Sequence, residues 1–81
     1  MRIQFTARAQ RDFADLTPQL QAQFRKQVVL LQANLRHPSL QAKKYDDGRG
    51  LWQGRVNRDY RFYFQIVPDA YLIIRIIAHP K

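Results

Sequence analysis

The spacing of apolar positions changes twice along the chain. Residues Arg2 to Phe5 alternate, with Ile3 and Phe5 on one side and Arg2 and Gln4 on the other, as a short strand does. Thr6 is placed to cap a short helix whose Ala9, Phe13 and Leu16 fall on one face at i, i+4, i+7. Thr17-Pro18 is a second start signal, a capping hydroxyl followed by proline at the first helical position. Leu20, Phe24, Val28, Leu31 and Leu35 then follow at spacings of three and four, the clearest amphipathic helix in the chain. Its expected end is His37-Pro38, because proline disfavours helical geometry in the residue before it. Residues 38–50 read as a loop, basic at Lys43-Lys44 and turn-forming at Asp46-Asp47-Gly48.

From Leu51 the period becomes two. Residues 51–56, 60–67 and 71–78 read as three strands, with turn chemistry in Asn57-Arg58-Asp59 and Pro68-Asp69-Ala70 between them. The pattern predicts an α+β domain over residues 1–81, in the order β-α-α-β-β-β. Its two helices pack on one face of a small, mainly antiparallel sheet. Parity then sorts the strand residues. Trp52, Gly54, Val56, Phe62, Phe64, Ile66, Leu72, Ile74 and Ile76 fall on the expected core face. Gln53, Arg55, Arg61, Tyr63, Gln65, Tyr71, Ile73, Arg75 and Ile77 fall on the other, with His79 just beyond. Keeping Arg55 with Arg61, and Tyr63 with Arg75, requires odd-length loops: a three-residue Pro68-Asp69-Ala70 loop serves the second hairpin, and the first needs a bulge or a three-residue loop around Asn57 to Tyr60. A one-residue slip would bury arginines, so the hydrophobic pattern should prevail over an ideal two-residue turn.

Composition narrows the partners more than the fold. A chain of 81 residues buries only about 60–65% of its unfolded surface, so the core is small. With no cysteine, no disulfide or thiolate metal site braces it, which suits a reducing compartment. No apolar run approaches the ~20 residues of a membrane helix and the N-terminus has no signal-peptide pattern, so the expected location is the cytoplasm, with no membrane partner. The net charge is +8, carried mostly by arginine, and every acid is aspartate. Such a balance favours a polyanion: nucleic acid, an anionic membrane surface or an acidic protein. The plainer reading is a sheet face kept wet by Arg55, Arg61 and Arg75, or by their pairing with Asp59 and Asp69.

The run Trp52 to Arg61, aromatic–x–x–Arg–Val–Asn–Arg–Asp–Tyr–Arg, set behind a short strand, two helices and a basic loop, resembles the RelE/ParE superfamily of bacterial type II toxin–antitoxin toxins. The resemblance covers nearly the whole chain. It implies a toxin with a cognate antitoxin as its protein partner. In the RelE-like branch it implies a ribosome-dependent mRNA endonuclease that needs no metal or other cofactor and so inhibits translation; the ParE branch inhibits DNA gyrase on the same fold. The RelE-like branch is the favoured reading, with mRNA and the ribosome as partners and DNA gyrase the alternative.

Metal-free RNA cleavage uses the ribose 2′-hydroxyl against its neighbouring phosphate. It needs in-line positioning, cations on the phosphorane-like transition state and groups that move protons. By the resemblance, Arg61 matches the arginine that contacts the scissile phosphate. Arg55 occupies the strand position where RelE-type members place lysine or arginine. A guanidinium grips phosphate oxygens bidentately. His79 stands where such nucleases carry arginine or histidine, the latter being the side chain that ordinarily titrates nearest neutrality. These three are the candidate catalytic residues. Lys43, Lys44, Gln53, Tyr63 and Arg75 are the candidate RNA contacts, with Tyr63 the expected stacking platform for a base. The chain departs from the family pattern in having no glutamate, no tail tyrosine after the last strand, and Gln53 where a second lysine is often found. Proton transfer therefore rests on His79, with Tyr63, Asp46 or Asp47 as helpers.

Overall fold

The computed structural model describes residues 1–79. Strand β1 (Arg2–Phe5) leads into helix α1 (Ala7–Asp15) and helix α2 (Pro18–Ala33), followed by strands β2 (Lys43–Asp46), β3 (Leu51–Arg55), β4 (Tyr60–Val67) and β5 (Ala70–Ala78). The strands form one sheet in the order β1-β5-β4-β3-β2. Only β1 is parallel to its neighbour; the other pairings are antiparallel. The α+β class and the order of elements expected from the sequence hold. Among the described residues no helix is long and apolar enough to cross a membrane.

Both helix starts form as their sequences dictate. Thr6 Oγ1 accepts from the Ala9 N–H at 3.0 Å and donates to the Ile74 carbonyl at 3.2 Å, so the cap of α1 also ties it to β5. Thr17 Oγ1 accepts from the Leu20 N–H at 3.2 Å, with Pro18 opening α2. Helix α2 ends earlier than expected. Asn34 leaves helical geometry at φ −165°, and its Oδ1 takes the Arg36 N–H at 3.0 Å. This local side-chain turn competes with the helix and wins three residues before the proline does.

The core is an aromatic seam between helices and sheet. Phe24 of α2 packs edge-on against Phe62 with ring centroids 5.5 Å apart, and it also meets Phe5 and Phe13. Phe62 and Phe64 stack along β4 at 5.5 Å. Leu31, Leu40, Ile73 and Ala9 are wholly enclosed around them. Gly54 makes the seam possible: it sits opposite Phe62, and a Cβ there would lie 2.4 Å from the ring. Gln27 is buried among these groups, 5% exposed, because its amide donates to the carbonyls of Arg55 (2.7 Å) and Ser39 (3.1 Å). It ties α2 to the end of β3.

Three sequence expectations need correction. The segment 38–50, expected as loop, contains a 3-10 turn at Pro38–Leu40, strand β2, and a second 3-10 turn at Asp47–Arg49. The first hairpin has the three-residue loop that parity requires, residues 57–59, closed by the Val56 N–H on the Tyr60 carbonyl at 3.0 Å. The second does not: Val67 pairs with Ala70 across a two-residue turn in which Asp69 adopts φ 64°. Parity is restored instead by a bulge in β5, where Tyr63 pairs with Arg75 but Phe64 pairs with Ile73. Ile74 is the extra residue. Consequently Tyr71 and Ile73, expected on the polar face, are buried, whereas Leu72 and Ile74 are only half-buried. Ile66, also assigned to the core, is 44% exposed.

Candidate phosphate site

The arginine face takes its geometry from the β3–β4 hairpin. Arg55 and Arg61 are direct cross-strand partners. Like charges placed opposite one another weaken a sheet, so the arrangement is not explained by stability. Among the described residues neither is ion-paired with a carboxylate, and the Asp59 and Asp69 pairings of the plainer reading do not form. Arg61 is instead held by the turn that precedes it. Its Nη1 donates to the carbonyls of Asn57 (2.6 Å), Tyr60 (3.0 Å) and Arg58 (3.2 Å). Asn57 stiffens that turn: its Oδ1 accepts from the N–H groups of Asp59 and Tyr60 at 2.8 and 2.9 Å, and its Nδ2 donates to Gln23 of α2 at 2.7 Å. Arg61 Nε and Nη2 stay available for an anion, having no hydrogen-bond partner among the described residues.

His79 reaches the same place from the end of β5, across β4 from Arg55. Its N–H donates to the Asp59 carbonyl at 2.7 Å, pinning the end of β5 beside the β3–β4 loop. Lys43, paired with Gln53 across β2–β3, completes the ring. Lys43, Gln53, Arg55, Arg61 and His79, with Gln41 and Gly54, line one hollow of about 150 Å³. Gln41 was not foreseen. It ends the first 3-10 turn in the left-handed conformation, φ 46°, a detail with no signal in the sequence.

The remaining candidates lie elsewhere. Lys44 pairs with Trp52 rather than Gln53, so strand β2 turns it to the opposite face from Lys43. There its ammonium sits 5.5 Å over the Trp52 ring and 3.6 Å from Asp47. Tyr63 is 7% exposed; its hydroxyl accepts from Gln53 Nε2 at 3.1 Å and its ring is covered edge-on by Tyr45 at 5.0 Å. Tyr45, 59% exposed, is the ring that solvent reaches. Arg75 turns to the edge of the sheet, where its Nε donates to Asp12 Oδ2 of α1 at 2.8 Å. The same oxygen accepts the Ile76 N–H at 3.0 Å. Burial by itself pushes the Asp12 carboxyl up. The Arg75 and Ile76 hydrogen bonds and the charges of Arg75 and Arg8 outweigh it and hold the carboxyl below its ordinary value.

The sequence model of the ParE toxin of type II toxin–antitoxin systems (parDE) matches residues 3–80. The chain belongs to this family. No curated protein matches the toxin by sequence. Solved structures match it over nearly their whole length. The YoeB/ParE toxin from Agrobacterium tumefaciens superposes with a TM-score of 0.79 at 13% identity, over 99% of this chain and 100% of that one. The YoeB dimer from Staphylococcus aureus gives 0.82 at 14% identity, over 99% and 98%. The intact E. coli RelBE toxin–antitoxin complex gives 0.74 at 14%, again over 99% and 98%. Identities this low establish a common fold, and the chemistry must be argued from the toxin's own residues.

Proposed function

We propose that this toxin is an endoribonuclease of the RelE type, cleaving mRNA on the ribosome in the cytoplasm and held silent by a cognate antitoxin. One observation carries the reading: Arg55, Arg61, His79, Lys43 and Gln53 border a single phosphate-sized hollow, and its two arginines lack carboxylate partners among the described residues. In the reaction the 2′-oxygen loses its proton and bonds to the adjacent phosphorus. The bond from phosphorus to the 5′-oxygen breaks, and that oxygen takes up a proton, leaving a 2′,3′-cyclic phosphate and a 5′-hydroxyl. Arg61 and Arg55 bind the non-bridging oxygens as their charge grows, Lys43 and Gln53 orient the strand, and His79 moves a proton at one of the two reacting oxygens. Tyr45 offers the stacking ring that Tyr63, beneath it, does not.

A second reading, a ParE-branch toxin acting on DNA gyrase, is favoured by the family whose model matches. In vitro translation of a defined mRNA, followed by primer extension across the ribosomal A site, separates the two. Arg61→Ala should lower the cleavage rate by about 10²–10³, the usual effect of losing one preorganised electrostatic donor. His79→Gln should lower it less and alter its pH profile. Intact mRNA with wild-type toxin, together with undiminished growth arrest by the Arg61→Ala, His79→Gln double variant, would favour gyrase. Thermal melting controls for the turn carbonyls that Arg61 leaves behind.

A further inference from the structure

Behind Arg55 lies a second, larger concavity of about 420 Å³, walled by α2, the Pro38–Leu40 turn and the β3–β4 loop. Arg55 and Gln41 border both hollows, so the two adjoin. Three cations face the larger one, Lys26, Arg55 and Arg58, and none of its lining residues is an acid. Its floor is already satisfied and therefore stiff. Gln27 is held by the Arg55 and Ser39 carbonyls and by the Ser39 hydroxyl at 3.3 Å, and Gln23 by Asn57. The Gln27, Gln23 and Asn57 amides are thus already engaged, while Lys26 and Arg58 are exposed and, among the described residues, outside any ion pair. Val56 is the single apolar residue of the lining, so the groove does not suit a greasy partner.

We infer that this groove binds the neighbouring phosphodiester of a single-stranded RNA whose scissile phosphate sits in the first hollow. Lys26 and Arg58 contact the flanking phosphate, and Arg55 lies between the two. The inference rests on the proposed reading that RNA occupies the first hollow, but its test does not depend on cleavage. The probes are a fully 2′-O-methylated RNA hexanucleotide, which cannot be cut, and the corresponding dinucleotide, which has one phosphodiester. Affinity for the hexanucleotide is measured by fluorescence anisotropy across a salt series, and for the dinucleotide by NMR titration.

In the Lys26→Gln, Arg58→Gln double variant two phosphate contacts are lost. Both contacts are to the one flanking phosphate, so the slope of log affinity against log salt for the hexanucleotide should become shallower by about 0.7, the value for one phosphate of a single strand. Dinucleotide affinity should stay at the wild-type level, whereas Arg61→Ala should weaken both probes. Both substituted residues are exposed, and an unchanged melting temperature confirms the fold; Lys26→Glu alone should shift the slope in the same direction. A wild-type slope in the double variant overturns the inference. So does an equal loss of dinucleotide binding, or failure of the wild type to bind the hexanucleotide, as for a groove that receives an acidic protein. A shallower slope in a toxin that leaves mRNA intact would sustain the groove and defeat the nuclease reading alone.

Discussion

Replacing Asp12 tests how β5, the strand that leads into His79, is held at its open edge. Strand β1 pairs with β5 only as far as Phe5 opposite Ile73. The Thr6 N–H and hydroxyl then take the carbonyls of Ile73 and Ile74, and beyond them the Asp12 carboxylate receives the Ile76 N–H. Asp12, its side chain 9% exposed, thus continues the edge pairing where the strand leaves off, and it anchors Arg75 and, at 3.5 Å, Arg8. In Asp12→Ala the Ile76 N–H loses its partner, which costs about 1–3 kcal/mol when the site excludes water. Losing the charge-assisted bond to Arg75 adds less than its full value, because that side chain is 35% exposed and can turn to water. The sum is about 2–4 kcal/mol. A domain this size has about 4–12 kcal/mol in all, so the melting temperature should fall by about 10 °C or more. Asp12→Asn keeps an acceptor for the N–H and should lose about half as much.

The sign of the pH dependence follows from the lowered carboxyl. A group whose folded pKa lies below its unfolded value, about 3.9 for aspartate, contributes fully above the unfolded value. The contribution is lost as pH falls through the folded one. The stability gap between wild type and Asp12→Asn should therefore be flat above about pH 5 and shrink below about pH 4. Urea titrations across that range measure it. A cost under about 0.5 kcal/mol for Asp12→Ala, within the range of ordinary surface substitutions, would refute the edge argument. So would a gap that persists undiminished into strong acid.

Other substitutions probe separate joints. Gly54→Ala drives a Cβ to within 2.4 Å of the Phe62 ring and should destabilise by about 1–3 kcal/mol or more, read from the urea midpoint. Gln27→Ala leaves the Arg55 and Ser39 carbonyls without their donor and should cost about 1–3 kcal/mol; Gln27→Glu, which brings a buried charge and no donor, should be worse in the same assay. Lys43→Ala should weaken binding of the uncleavable RNA hexanucleotide while Lys44→Ala leaves it nearly unchanged, because strand β2 sends the two side chains to opposite faces. Equal losses from both would mean that β2 does not have this register.

Where sequence reading succeeded, each local signal carried its own mechanism. The two threonine caps, the proline opening α2 and the pairing of β3 with β4 each stand on a few adjacent residues, and each formed as expected. Failures came where two irregularities compensate. A two-residue turn after Val67 and the bulge at Ile74 cancel in register beyond the bulge, so Arg75 arrives opposite Tyr63 as parity demanded while Tyr71 and Ile73 move into the core. Either irregularity alone would have exposed itself by burying arginine. Strand β2 was invisible because Lys43–Asp46 is short and polar, and without it neither the separation of Lys43 from Lys44 nor the cover of Tyr45 over Tyr63 could be read. Gln27 was legible in principle: with Phe24 and Leu31 it falls at spacings of three and four, on the buried stripe.

The distribution of acids explains why the arginine face remains charged. Asp12 neutralises Arg75 and Arg8, Asp46 neutralises Arg49, and Asp47 neutralises Lys44. Arg8 pairs along helix α1, and the other cations belong to a sheet edge or a turn that the pair helps to hold. The opposed Arg55 and Arg61 receive none of these carboxylates; backbone carbonyls fix Arg61, and Gln27 fixes the backbone of Arg55, without cancelling either charge. A fold could relieve that repulsion with one aspartate at position 53 or 63. This chain has glutamine and tyrosine there, bonded to each other and not to the arginines. The unmet charge is thus preorganised for an anion supplied from outside, and on the proposed reading substrate phosphate and antitoxin carboxylate compete for it. Inhibition and catalysis would then draw on the same two guanidinium groups, so a substitution that relieves toxicity at Arg61 should also weaken the hold of the antitoxin on that face.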